Sequence, residues 1–342
     1  MERPIKVLNR LFGYKEFRNG QFEIINNILK KRDSFCIMPT GGGKSICYQI
    51  PAFIFDGITI VISPLIALMK DQVDNINNIG IKAKYINSTN TLDEVKEIID
   101  MCYLGQVKLL YISPERLKNN YFINAIKTLN ISQIAIDEAH CISMWGHDFR
   151  KSYRDIEGFV RIFRNRPVVS AFTATATKEV LEDSIKLLNL NNPYIYKGSF
   201  DRENLEINVH KEIDKLEFIR DFLKENEEKS GIIYCLTRKE VEALYDYLND
   251  LNFSVLKYHA GLSDSEKEYY QKSFFNDDKD IMIATNAFGM GIDKENIRFI
   301  IHFTFPKNIE SYYQEIGRGG RDGEIAVCHL LYSRDDIKRL DY

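Results

Sequence analysis

Short apolar runs rich in β-branched residues recur along this chain, and charged amphipathic stretches separate them. In the first half they stand at Phe35–Ile37, Ile58–Ile62, Leu109–Ile112, Ile134–Ile136 and Val168–Phe172. Further runs follow at Gly231–Cys235, Val255–Tyr258, Ile281–Ala284 and Phe299–Phe303. Stretches such as Leu92–Cys102 and Tyr121–Leu129 have the spacing of helices lying between strands. Repeated strand–helix alternation predicts an α/β architecture, a mainly parallel sheet with helices on both faces. The pattern changes around residues 198–211, where Gly198-Ser199-Phe200-Asp201-Arg202-Glu203-Asn204 is polar and turn-rich. A domain junction is expected there, dividing the chain into residues 1–202 and 203–342.

The polar signals are not scattered. Nearly every one follows the carboxyl end of an expected strand: residues 38–45, Ser63-Pro64-Leu65, Ser113-Pro114-Glu115-Arg116, Asp137-Glu138 and Thr173-Ala174-Thr175. In the second half the same holds for Leu236-Thr237-Arg238, His259-Ala260-Gly261 and Thr285–Asp293. Open parallel sheets bind ligands at strand carboxyl ends, so both domains are expected to use that edge.

Two of these segments carry recognisable chemistry. Met38-Pro39-Thr40-Gly41-Gly42-Gly43-Lys44-Ser45 lies between an apolar strand and a helix start. Its glycines let backbone N–H groups turn toward phosphates, with Lys44 reaching the β/γ-phosphates and Ser45 ligating magnesium. The strict phosphate-loop pattern has glycine where Met38 stands. About 90 residues on, Asp137 and Glu138 end a second apolar strand, as magnesium and water require in nucleotide hydrolysis. The loop that follows, Cys141–Arg150, contains the chain's only tryptophan. Exposed Trp145 and Phe149 beside Arg150 suit stacking on unpaired bases. One continuous segment thus joins strand contact to ATP chemistry, the arrangement of a nucleic-acid motor.

Composition narrows the picture. At 342 residues the chain has room for two cored domains. No apolar run approaches a membrane span, and the N-terminus lacks a signal peptide's apolar region. The six cysteines, at 36, 47, 102, 141, 235 and 328, form no C-x-x-C pair, so neither a disulfide framework nor zinc is expected. His140, Cys141 and His147 match no familiar zinc spacing. A reducing cytoplasm fits. The net charge of −3 decides nothing about nucleic acid, because a motor needs only a local basic track.

From about residue 8 to 334 the chain resembles the RecQ family of superfamily 2 DNA helicases. Phe12-Gly13-Tyr14-Lys15-Glu16-Phe17-Arg18-Asn19-Gly20-Gln21 is similar to the family's adenine-recognition motif, and residues 38–45 to its phosphate loop, which lacks that first glycine. Val61–Gln72 and Tyr111–Leu117 match strand-contact motifs containing Ser63, Ser113 and Arg116. The Cys141–Arg150 loop resembles the family's aromatic-rich loop, which separates it from RNA helicases of the DEAD type. In the second half Gly231–Cys235 with Arg238, Tyr258–Leu262 with His259, Ala284–Lys294 and Ser311–Gly323 resemble the remaining motifs.

The resemblance implies two tandem RecA-like domains with an ATP cleft between them. It implies an adenine site of Tyr14, Arg18 and Gln21, and phosphates on Thr40, Gly41, Gly42, Gly43, Lys44 and Ser45. Magnesium would sit on Ser45 and Asp137, Glu138 would activate water, and Arg318 and Arg321 would be arginine fingers, with Asp293 also at the nucleotide. DNA contact or coupling would fall to Ser63, Ser113, Arg116, His140, Trp145, His147, Phe149, Arg150, Arg238, His259 and Thr285. It further implies 3′→5′ movement on single-stranded DNA, unwinding of tailed duplexes, and a role in repair or recombination. One departure stands out: Gly319 replaces a usual alanine where a helix start is expected, adding backbone freedom of about 0.5–1 kcal/mol beside Arg321. The family's zinc and winged-helix domains are not expected in residues 1–342, which leaves a DNA-stimulated translocase without unwinding as the alternative. A silent nucleic-acid-binding scaffold is disfavoured because every expected catalytic side chain is present.

Overall fold

The structure is a computed structural model that describes residues 3–146, 148–199, 201–288, 294–334 and 336. The chain divides into two compact units, Met1–Phe200 and Asp201–Tyr342.

The strands of the first unit are β1 (Ser34–Ile37), β2 (Ile58–Ile62), β3 (Ala83–Ile86), β4 (Leu109–Ile112), β5 (Ile131–Ile136), β6 (Val168–Thr173) and β7 (Tyr194–Lys197). They form one sheet in the order β3-β4-β2-β5-β6-β1-β7. The second unit contains β8 (Leu205–Lys211), β9 (Gly231–Tyr234), β10 (Val255–Tyr258), β11 (Ile281–Ala284), β12 (Phe299–His302) and β13 (Ala326–Tyr332), ordered β10-β11-β9-β12-β13-β8. Every strand pairing among the described residues is parallel.

The reason lies in the runs themselves. Successive strand residues face opposite sides of a sheet, so an uninterrupted apolar run must be covered on both. Ile60, Ile62, Ile134 and Ile136 enter one core cluster of the first unit, while Val61 and Ala135 enter the cluster on the other face. The second unit repeats this, with Ile233, Ile283 and Ile301 on one side and Ile232, Met282 and Ile300 on the other. Full burial of each such valine, isoleucine or methionine side chain contributes about 1.5–3 kcal/mol.

Edge strands follow a different rule. β7 alternates half-buried and exposed residues, and β8 leaves Ile207 and Val209 each 54% exposed. Neither presents an apolar run, so neither was signalled by the pattern of the central strands. At the amino ends of the first sheet, buried Asp33 accepts from Arg166 Nη1 and Nη2 at 3.0 and 2.6 Å. It also accepts from the Val169 and Asn191 backbone N–H groups at 2.9 and 2.7 Å. That lock leaves the opposite, carboxyl edge for function.

Candidate active site and strand-contact loop

Parallel pairing brings the polar segments of the first unit to one edge. In register, Ile112 pairs with Ile62, Ile62 with Ile136, Ile136 with Ala171, and Ile37 with Thr173. Ser113, Ser63, Asp137, Thr173 and the phosphate loop therefore emerge side by side.

The loop has the backbone that its glycines allow. Gly41 and Gly43 lie at φ 77° and 75°, the left-handed region, and Gly43 caps the helix Lys44–Ile54. A Cβ on Gly43 would meet Gln21 Nε2 at 2.3 Å, so that close approach needs glycine. Lys44 Nζ donates to the Met38 carbonyl at 3.4 Å, folding over its own loop. Ser45 hydrogen-bonds the Tyr48 hydroxyl, which burial and the nearby Tyr111 and Asp137 push upward in pKa.

Asp137 and Glu138 occupy the centre of the edge. The Asp137 backbone N–H donates to the Ile62 carbonyl at 2.9 Å, and buried Tyr153 donates its hydroxyl to the Asp137 carbonyl at 2.8 Å. Burial, and then the adjacent Glu138 charge, raise the Asp137 carboxyl to about 7, with Lys44 opposing. Glu138 sits at φ 47°, a left-handed conformation that costs a non-glycine residue of order 1 kcal/mol or more. Its Oε2 is buried without a hydrogen bond, 3.4 Å from His140 Nδ1. The Thr173 hydroxyl gives its single hydrogen to the Thr175 carbonyl at 2.9 Å, so at 2.8 Å it accepts from His140 Nδ1–H. His140 therefore links Glu138 to the end of β6.

This donor set fits a nucleotide carrying a divalent cation. A carboxyl raised by burial and by a neighbouring carboxylate, beside an orphaned carboxylate oxygen, is what such a cation would relieve. No group of three or more His, Cys, Asp and Glu side chains among the described residues could hold a metal. Ser45 and Asp137 alone suit magnesium, which keeps water and phosphate as its other ligands.

A stability prediction follows. The folded chain keeps the Asp137 proton up to about pH 7, whereas the unfolded chain releases it near 3.8. Stability from this group is thus lost as pH rises through that window. Asp137→Asn should stabilise the nucleotide- and magnesium-free protein at pH 8 by about 4 kcal/mol, seen as a higher melting temperature. The gain should vanish near pH 4. Thermal melts across that range check it, and a pH-independent difference would refute it.

Beyond His140 the chain turns outward. Met144 and Trp145 are 70% and 77% exposed, and Phe149 is also exposed, with Arg154 over its ring at 5.6 Å. A Cβ on Gly146 would meet the His140 carbonyl oxygen at 2.6 Å, which explains the glycine in this turn. The Arg150 guanidinium holds Asp148 at 3.0 Å and the Pro64 carbonyl at 3.4 Å, joining this loop to the one after β2. His147 and Asp293 lie outside the described residues.

Other expected contacts have local employment. Gln21 Oε1 accepts from the Arg18 N–H at 2.9 Å while Nε2 donates to the Gly43 carbonyl at 3.2 Å. Its amide thus bridges the adenine motif to the phosphate loop. Arg18 Nη1 reaches the Gly41 carbonyl, and Tyr14 stands 48% exposed. The Ser113 hydroxyl is buried without a partner, Ser63 is buried, and Arg116 holds the Asn87 and Asn90 carbonyls.

The second unit places Arg238 exposed at the start of the helix Arg238–Asp250, capped by Thr237 and Glu240. Buried His259 is fully engaged. Its Nδ1 accepts from the Gly261 N–H at 3.1 Å, so Nε2–H donates to Glu242 at 2.8 Å. Thr285 is buried at the end of β11. The segment after the helix Ile309–Ile316 carries Arg318, buried with its guanidinium on the Tyr234 hydroxyl, and Arg321, half-buried.

Gly319 corrects an expectation. It follows a helix end rather than opening a helix, and it is not loose: Arg202 Nη2 donates to the Gly319 and Gly320 carbonyls at 2.9 and 3.0 Å. Asn204 adds a bond to the Gly320 carbonyl at 2.8 Å. A Cβ at 319 would stand 3.0 Å from that of Ala326, so glycine relieves crowding. Arg202 and Asn204, read in sequence only as junction residues, are thus supports of the arginine segment. Their partners lie more than 110 residues away, and nothing local signals them.

Two parallel-sheet units, with a phosphate loop and an acidic strand end in the first, define the RecA-like helicase class. The DEAD/DEAH box helicase domain matches residues 18–184, and the helicase conserved C-terminal domain matches residues 214–323. The ATP-dependent DNA helicase RecQ of Bacillus subtilis is 49% identical over 338 residues, covering 98% of this chain and 57% of that protein. The probable ATP-dependent DNA helicase RecS of the same organism is 40% identical over 99% of this chain and 68% of its own length. In fold, a structure of S. cerevisiae Dbp5 bound to RNA and ADP BeF3 superposes with a TM-score of 0.79 at 16% identity, covering 99% of this chain and 90% of that one. The chain belongs to the RecQ family of helicases. It spans little more than half the length of the RecQ proteins it matches.

Proposed function

We propose that this chain is the motor core of an ATP-dependent DNA helicase, moving 3′→5′ on single-stranded DNA and separating tailed duplexes in repair or recombination. One observation carries the reading: a strained Glu138 with an orphaned oxygen and an exposed Trp145 lie on one short segment, with His140 between them.

In this reading Lys44 and the Gly41–Ser45 backbone bind the ATP phosphates, and Tyr14, Arg18 and Gln21 receive the adenine. Magnesium, held by Ser45 and Asp137, supplies charge neutralisation at the phosphates when bound. Glu138 orients the attacking water and accepts its proton. Arg318 and Arg321, with Asp293, complete the nucleotide site from the second unit and stabilise the charge that develops on the γ-phosphoryl group. Closure on ATP and reopening after hydrolysis become steps when each unit grips the strand in turn. Ser63, Ser113, Arg116, Arg238, His259 and Thr285 form the strand track, Arg116 and His259 by bracing its loops. Trp145, Phe149, Arg150 and His147 sense the strand.

The test is strand separation on 3′-tailed and 5′-tailed duplexes, with hydrolysis followed in the same reactions. Unwinding of the 3′-tailed substrate alone is expected. Hydrolysis stimulated by DNA with neither duplex opened would overturn the unwinding activity, and stimulation by RNA alone would overturn the substrate. Trp145→Ala should leave basal hydrolysis within about twofold and remove most stimulation, each stacked base being worth about 1–3 kcal/mol. Equal loss of basal and stimulated rates would make Trp145 a packing residue.

A further inference from the structure

The exposed Trp145 turn is fastened at its base by a side chain outside the motifs described above. Asp183 lies half-buried on the helix Lys178–Leu187, six residues beyond the Thr177 N-cap. Fully buried Ser143 donates its hydroxyl hydrogen to Asp183 Oδ2 at 2.6 Å. A serine hydroxyl has one hydrogen, so the same oxygen must accept from the Trp145 backbone N–H, which lies 3.2 Å away. The remaining bonds close the turn: the Gly146 N–H donates to the Ser143 carbonyl at 3.1 Å, and the Ser143 N–H donates to the His140 carbonyl at 3.2 Å.

The arrangement has two consequences. With Met144 and Trp145 more than two-thirds exposed, packing of their own side chains contributes little to holding the turn. Its conformation is set from below, by a hydroxyl–carboxylate bond of the short, strong kind. The bond also joins the turn to elements that meet the active centre. Asp183 belongs to the helix that follows β6, β6 ends in the Thr173 that holds His140, and His140 faces Glu138.

We infer that Asp183 is a positioning residue for strand sensing: it clamps Ser143, and through Ser143 the Trp145 backbone, so that DNA on the indole is felt at His140 and Glu138. The inference rests on the reading of Trp145 as the strand sensor. It adds a residue that touches neither DNA nor nucleotide and acts only through the loop.

The experiment uses the whole chain, whose only tryptophan is Trp145, so tryptophan emission reports this turn alone. Asp183→Ala, Asp183→Asn and Ser143→Ala are compared by time-resolved anisotropy without DNA, and by basal and DNA-stimulated ATP hydrolysis. Asp183→Ala and Ser143→Ala should each free local indole motion, keep basal hydrolysis, and raise the DNA concentration for half-stimulation about tenfold, as loss of one charge-assisted bond predicts. Asparagine keeps an accepting oxygen, so Asp183→Asn should stay close to the parent. The double variant should be no worse than either single one, because both remove the same bond.

Unchanged indole motion in Asp183→Ala would overturn the clamp, as would an asparagine variant as defective as alanine. Basal hydrolysis falling in step with stimulation would reduce Asp183 to a stabilising contact. Ser143→Ala tests the same bond if Asp183→Ala folds poorly. Failure of the underlying reading looks different: Trp145→Ala would keep full stimulation, while the anisotropy result would still report on the clamp.

Discussion

Glu138→Gln should hold ATP without turning it over. The substitution keeps size, leaves the left-handed backbone at Glu138 as strained as before, and retains one oxygen to orient water. It removes the ability to accept a proton. General-base catalysis contributes about 10²–10⁴ in rate, so kcat should fall by about 10³ with and without DNA. Nucleotide affinity should stay within a few-fold, since the phosphate loop and Lys44 are untouched. Glutamine also removes a charge beside Asp137, whose carboxyl is raised partly by that neighbour, so the magnesium requirement should not rise. Single-turnover hydrolysis with titration of a fluorescent nucleotide separates these effects. A variant that lost binding and turnover together would make Glu138 a structural residue. One that hydrolysed normally would remove the catalytic reading of the whole strand end.

The central strands other than β13, whose run His329 interrupts, were legible because burial on both faces leaves an unbroken apolar run, as Ile58–Ile62 shows in matching an observed strand end to end. β7 and β8 were not, because a strand at a sheet edge can remain half solvated and reads like a loop. At the site, motifs in the sequence point to candidate residues for the chemistry but not to the side chains packed around them. Glycine at 43 announces a backbone that must curl; that Gln21 fills the space beneath it depends on a helix packed from elsewhere. His259 illustrates the same limit. Its type and place suggest a strand contact, whereas Glu242 and the Gly261 N–H fix its tautomer and make it a brace. Asp183 and Arg202 had no motif to mark them, since their roles exist only through partners brought close by folding.

Arg321→Ala should be almost as damaging as Glu138→Gln, by another route. In the proposed reaction the arginine meets charge that grows on the γ-phosphoryl group only in the transition state, an interaction worth about 10³ or more in rate. Ground-state ATP affinity should therefore change little while kcat collapses. Lysine should not rescue it, because the planar fork that pairs two phosphate oxygens is lost. Arg318 makes the informative contrast. Its guanidinium is buried and hydrogen-bonded to the Tyr234 hydroxyl inside its own unit, so Arg318→Ala should lower the melting temperature as well as the rate. The Arg202 bonds to the Gly319 and Gly320 carbonyls sharpen the comparison. Arg202→Ala leaves both fingers in place but frees the backbone between them, and should reproduce much of the Arg321→Ala loss if aim rather than presence limits the rate. Steady-state kinetics with melting curves on all three variants decides this. A catalytic defect in Arg321→Ala accompanied by an equal fall in stability would place Arg321 beside Arg318 as a support, leaving the developing charge to be met by Lys44 and the cation.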